Sequence, residues 1–232
     1  MSELKLAIFD VDGTLVDSRQ VIARAMDAAF KKAGLGGIEY DRTRTIVGLE
    51  LTDAVTRLAP ADYPTERLPQ LANFYKQAFV EHRAEDGFSE PLYEGARETL
   101  ERLADEDWLL GVATGKARRG LDIVFDHHDL HRYFQTLQTV DCSAGKPNPD
   151  MVLNAMNETG VEASHTLMIG DTSWDMVMAR SARVRAIGVS WGFHTEDEIR
   201  DGGAHELHHA FDSLNSGLDQ FDPGAHQQEL AS

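Results

Sequence analysis

Short apolar runs and helix-length amphipathic stretches alternate along most of the chain. The runs fall at residues 6–9, 109–113, 137–140, 166–169 and 186–189, and most of them end in Asp, Thr or Gly. Apolar runs of this length read as strands buried on both faces, the texture of a parallel sheet. Between the later runs lie helix-length segments at 117–127, 149–157 and 173–182. Strands spaced by helical crossovers predict an α/β fold with a doubly wound (Rossmann-like) parallel sheet. In such sheets a ligand binds outside the carboxyl ends of the strands.

One interval interrupts the alternation. Between about residues 18 and 107 no strand pattern occurs, whereas 21–32, 51–58 and 68–82 repeat Ala, Leu, Phe and Arg at three- and four-residue steps. The pattern predicts an inserted α-helical cap domain over residues 18–91 and an α/β core from residues 1–17 and 92–218. A helix near 95–104 should return the chain to the core, and residues 219–232, polar and carrying Pro223-Gly224, read as a loose C-terminal tail. Gly36-Gly37 reads as a helix stop, because no strand leads into it as a nucleotide loop would require.

Composition narrows the function classes. The 232 residues are 42% hydrophobic and 26% charged, ordinary values for a globular protein. The formal net charge of -17 argues against nucleic acid and anionic membranes as partners. An anionic substrate would then need local cations or a metal. Cys142 is the sole cysteine, which excludes an intramolecular disulfide and a multi-cysteine zinc site. With no 18-residue apolar run and no basic leader, the expectation is a cytoplasmic protein, monomer or homodimer, without a membrane partner.

The acidity also tempers the first motif, Asp10-Val11-Asp12. With Asp at 22 of 232 positions, chance alone gives about two Asp-x-Asp pairs. The chain has two, and the other, Asp105-Glu106-Asp107, lies in a polar stretch that reads as a solvated turn. Position separates them. Asp10 closes an apolar strand, and Gly13 and Thr14 follow as a sharp exit and a turn cap. If strand geometry persisted, Asp10 and Asp12 would share one face. Thr114-Gly115 closes a second strand and could hold a phosphoryl oxygen through a hydroxyl and a backbone N–H. A P-loop is excluded there, since the glycines at 111 and 115 are misspaced and Ala117 stands where a Ser or Thr would hold magnesium. Lys146 precedes the restricted Pro147-Asn148-Pro149 loop, and Asp171 and Asp175 end a strand and open a helix. Hard carboxylate oxygens without Cys or His suit Mg²⁺. A carboxylate, a metal, a hydroxyl and a lysine around one crevice suit phosphoryl transfer.

In order, Asp10-Val11-Asp12-Gly13-Thr14-Leu15-Val16-Asp17-Ser18, Val112-Ala113-Thr114-Gly115-Lys116, Lys146-Pro147-Asn148-Pro149-Asp150 and Gly170-Asp171-Thr172-Ser173-Trp174-Asp175 resemble the four motifs of the haloacid dehalogenase superfamily. The helical insertion is similar to the small cap of its phosphoglycolate phosphatase-like branch. The resemblance implies that Asp10 attacks phosphorus, while Asp12 protonates the leaving alcohol and then activates water. It implies that Thr114 and Lys146, with Gly13 and Gly115, hold the phosphoryl group of a small phosphorylated metabolite. It assigns Mg²⁺ to Asp10, the Asp12 backbone carbonyl, Asp171 and Asp175. Asp12 argues against halide- and phosphonate-cleaving relatives, which lack that acid. A sugar-phosphate mutase, β-phosphoglucomutase-like, is the alternative on the same fold, and a receiver-like phosphoaspartate module is a weaker one. Relatives carry Gly where this chain has Arg183, which puts the local left-handed helix terminus in question. For substrate selection the candidates are Arg19, Arg24, Arg42 and Arg44 and the Gly48-Leu49-Glu50 stretch; the His205, His208 and His209 cluster reads as an edge strand and surface loop.

Overall fold

The computed structural model describes residues 4–106 and 108–231. Asp107, the second acid of the expected solvated turn, lies outside the described residues. Six parallel strands form one sheet: β1 (Lys5–Phe9), β2 (Trp108–Thr114), β3 (Thr136–Thr139), β4 (Thr166–Gly170), β5 (Arg185–Val189) and β6 (Glu206–His208). Their order is β3-β2-β1-β4-β5-β6. The chain winds outward from β1 in one direction, then returns to start β4 on its other side. The switch in winding therefore falls between β1 and β4, the place where ligands bind in sheets of this kind.

Alternating strand residues feed two layers. Ala7, Phe9, Leu110, Val112, Leu167 and Ile169 pack beneath α5 (Ala96–Asp105), α6 (Arg118–His128) and α10 (Phe211–Asp219). Leu6, Ile8, Met168 and Ala186 face α7 (Asp150–Thr159), α8 (Ser173–Ser181) and α9 (Glu196–Asp201). Both sheet faces are covered, which is why the strands read as continuous apolar runs and not as alternation.

Between β1 and α5 stand four helices: α1 (Arg19–Lys32), α2 (Tyr40–Arg44), α3 (Leu51–Leu58) and α4 (Leu68–Arg83). They bury an apolar cluster of their own, centred on Met26, Phe30, Val55, Leu58 and Leu71, and Phe193 from the loop after β5 joins it. The shortest strand, β6, is the edge predicted for the histidine cluster.

The C-terminal segment departs from expectation. Residues expected to form a loose tail include α11 (Pro223–Ala231). Its His226 is buried, with Phe221 and His205 as ring neighbours. At the end of α8, Arg183 takes φ 58°, so the left-handed terminus is kept without glycine. Its neighbour Val184 closes the turn, donating to Ala179 O at 3.0 Å.

Candidate active site

The residue after β1 is Asp10, whose backbone N–H still donates to Ile169 O of β4 at 2.9 Å. Its buried carboxylate emerges at the winding switch. Strand geometry stops at Phe9, so pleat alternation does not place Asp12. A tight loop does: Val11 O accepts from the N–H groups of Leu15 (3.0 Å) and Val16 (2.9 Å). The two acids then meet different lysines. Lys146 Nζ lies 2.8 Å from Asp10 Oδ1, and Lys116 Nζ donates to Asp12 Oδ1 and Oδ2 at 2.6 and 2.7 Å.

Gly13 holds φ 85° in this loop, and a Cβ there would stand 2.3 Å from Asp171 Oδ2. Only glycine satisfies both the conformation and the contact. Thr14 Oγ1 donates to Asp171 Oδ1 and the Phe193 N–H to Asp171 Oδ2, both at 2.8 Å. These bonds fix the carboxylate at the end of β4.

Asp175 serves two purposes. It closes a capping box at the start of α8, where Oδ2 accepts from the Thr172 N–H (3.1 Å) and Thr172 Oγ1 (2.6 Å). Its Oδ1 lies 2.6 Å from Lys146 Nζ. The lysine comes from the loop after β3, is fully buried, and is bridged by Leu49 of the insertion. Thr114, at the end of β2, accepts the Lys116 N–H through Oγ1 at 3.2 Å. Beside it, a Cβ on Gly115 would stand 2.6 Å from Gly48 O, so the same insertion loop covers this strand end.

Asp10, Asp171 and Asp175 offer oxygens within 4.8 Å of one another, and among the described residues they form the one such group of His, Cys, Asp and Glu. Of these three buried carboxylates, Asp10 and Asp175 share a single ammonium, Lys146, and Asp171 is held by neutral donors alone. Burial, offset by Lys146 and reinforced by Asp175, pushes the Asp10 carboxyl up to about 7. Burial and the neighbouring Asp10 and Asp175 charges hold Asp171 well above the usual carboxylate range. A divalent cation would remove this charge deficit, and Asp10 Oδ2, buried without a hydrogen-bond partner, is free to bind one. The all-oxygen donor set fits Mg²⁺.

Residues 7–189 match the family of haloacid dehalogenase-like hydrolases. The chain belongs to that family. A protein of Dickeya dadantii (strain 3937) named "Probable phosphatase IndB" is 33% identical over 84% of this hydrolase and 85% of its own length. A phosphoglycolate phosphatase of Agrobacterium fabrum (strain C58) is 32% identical over 81% of each chain. The crystal structure of a hydrolase from Pseudomonas syringae superposes with a TM-score of 0.82 at 26% identity, covering 93% of this chain and 98% of that one.

The structure thus brings the eight sequence-derived site residues of this haloacid dehalogenase-like hydrolase to the carboxyl-end side of the sheet, six at or just past the ends of β1, β2 and β4, Lys146 from the loop after β3 and Asp175 from the first turn of α8. The arginines fare differently. Arg19 pairs with Asp17, Arg24 with Glu85 and Arg44 with Glu198, while Arg42 donates to Leu58 O. Each guanidinium is engaged within the protein, Arg19 and Arg24 in partly exposed pairs. Three participants escaped the sequence reading. The Phe193 N–H carries no side-chain signature, and Glu90, whose Oε1 lies 3.9 Å from Lys116 Nζ, is one of 39 acidic residues. Lys116 does carry a signal, since it stands two residues past Thr114 at a strand end. Among the described residues, no helix is long and apolar enough to cross a membrane.

Proposed function

We propose that this hydrolase is a Mg²⁺-dependent phosphatase of small phosphomonoesters, with phosphoglycolate-like compounds as its substrate class and the cytoplasm as its setting. The observation that carries the reading is Asp10: a buried carboxylate with one oxygen on Lys146 and the other unpartnered, followed two residues later by a second acid on a different lysine. In this reading residues 18–91 are a cap over a core of residues 1–17 and 92–218.

A carboxylate oxygen of Asp10 attacks phosphorus, forming an O–P bond as the ester P–O bond breaks. Asp12 delivers a proton to the departing alkoxide. Water then attacks the phosphorus of the aspartyl-phosphate, Asp12 takes its proton, and the O–P bond to Asp10 breaks to release phosphate. Thr114 Oγ1, the Gly115 N–H and Lys146 hold the phosphoryl oxygens. Mg²⁺ held by Asp10, the Asp12 carbonyl, Asp171 and Asp175 would supply charge neutralisation that lets an anionic ester approach an anionic nucleophile.

The test is phosphate release over a panel of phosphomonoesters, with Asp10→Asn, Asp12→Asn and EDTA as controls. Release by the native protein that both substitutions and EDTA abolish supports the reading. Equal release by all samples would overturn it, and turnover that needs a bisphosphate and returns an isomer would establish the mutase instead.

A further inference from the structure

Asp12 is tied to the helical insertion by a line of alternating charge. Lys116 Nζ, which donates to both Asp12 oxygens, lies 3.9 Å from Glu90 Oε1. Glu90 Oε2 in turn accepts from Arg83 Nε and Nη2 at 3.1 and 2.7 Å. Arg83 is the last residue of α4, and the Phe79 ring one turn earlier lies under both the Lys116 ammonium (5.6 Å) and the Arg83 guanidinium (5.1 Å). All four charged side chains are at most 15% exposed, so water screens them little. Glu90 Oε1 is buried and has no hydrogen-bond partner, which leaves its charge directed at Lys116.

Lys116 comes from the end of β2, Glu90 from the return of the insertion and Arg83 from α4. Such a line has little purpose as a surface pair. It fixes the orientation of an acid that must reach a leaving-group oxygen. We propose that Lys116 is the positioning residue for Asp12, and that the Arg83–Glu90–Lys116 line makes the orientation of this acid depend on the placement of α4. The inference rests on the phosphatase reading for what Asp12 does, but not for where Asp12 is held. It contains no new chemical step: the proton still passes between Asp12 and the ester or water oxygen.

Two measurements test it. The first compares kcat and KM of the native protein, Lys116→Met, Lys116→Arg and Glu90→Gln on p-nitrophenyl phosphate, whose phenolate departs unaided, and glycerol 2-phosphate, whose alkoxide must be protonated. Positioned general acids are worth about 10²–10⁴ in rate, so Lys116→Met should lose about 10- to 100-fold in kcat on the alkyl ester and under about threefold on the aryl ester. Lys116→Arg should recover most of the loss, and Glu90→Gln should change the ratio of the two kcat values in the same direction by less. Equal losses on both esters, or a change in KM alone, overturn the inference. The second is crystallographic and needs no turnover: in Lys116→Met the Asp12 carboxylate should leave its native rotamer. An unmoved carboxylate overturns the inference, whereas a native protein inactive on both esters overturns the phosphatase reading and leaves the rotamer to decide.

Discussion

Lys146 Nζ stands 2.8 Å from Asp10 Oδ1, with both residues closed to solvent. The same ammonium lies 2.6 Å from Asp175 Oδ1, so one cation answers two buried anions. Replacing a buried pair by apolar groups can be neutral, but removing one partner strands the other charge at a cost of about 3–5 kcal/mol. Lys146→Met should therefore lose about that much stability in urea denaturation of metal-free protein at pH 7.5. Its phosphate release should fall by at least about 100-fold, the scale at which a lost electrostatic stabiliser is felt. A variant as stable as the native protein would contradict the role given to this lysine.

The three clustered carboxylates lead to a metal-removal experiment. A ligand that binds only the folded state adds about 2.7 kcal/mol at a hundredfold excess over its Kd. For a chain of this size that corresponds to a rise in Tm of roughly 5–10 °C on adding Mg²⁺ to EDTA-treated protein. Asp171→Asn should reduce this rise, because it removes one anionic ligand from the set. Equal Mg²⁺ responses in the native and Asp171→Asn proteins would refute the assignment.

Strand ends were legible because two signals coincide there: an apolar run dictates a buried strand, and an abrupt acid or hydroxyl marks where it leaves the sheet. Asp10, Thr114 and Asp171 all carry that signature. Lys146 does not end a run; the proline-restricted loop that follows it is its signal, and the resemblance supplies its role. What stayed hidden depends on tertiary contact. The Phe193 N–H acts through the backbone, and Glu90 looks like any other acid until Arg83 and Lys116 flank it. The C-terminal segment was misread for a related reason: its composition is polar, and the burial of His226 is a property of what it docks against. The arginines carry less information: residue type suggests a carboxylate site, and the structure pairs each guanidinium with an oxygen of the protein itself.

Arg44 and Glu198 join the insertion to the core across 2.7 Å, and Trp174 Nε1 donates to Thr45 O beside them at 3.2 Å. Burial acts to raise the Glu198 carboxyl, but the bond from Arg44 and those from Thr195 outweigh it and hold the group at about 2, below its usual 4.5. A carboxylate with a depressed value stabilises the fold fully above pH 4.5, and that contribution disappears as pH falls towards 2. The pair is partly exposed, so its worth is about 1 kcal/mol or less. Urea midpoints of the native protein and Glu198→Gln should differ at pH 7 and converge as pH drops from 4.5 to 3. A gap that widens over that interval would show that Glu198 is not the group that titrates.

Arg183 offers a stabilising substitution with a definite sign. Its φ of 58° closes α8 in the left-handed region, where a side chain costs about 1–2 kcal/mol relative to the right-handed helix. Glycine adopts that conformation freely but loses more chain entropy on folding, about 0.5–1 kcal/mol, so the two effects oppose each other. The steric relief is the larger. Arg183→Gly should gain about 0.5–1 kcal/mol, the difference between these figures. That amounts to roughly 1–4 °C in Tm for a chain of this length. The residue lies at the far end of α8 from Asp175, so kcat should stay within about twofold of native, as befits a change that perturbs no group in the site. Differential scanning calorimetry with parallel kinetics would check both outcomes, and a lower Tm would mean that the arginine side chain stabilises this turn by more than the strain it introduces.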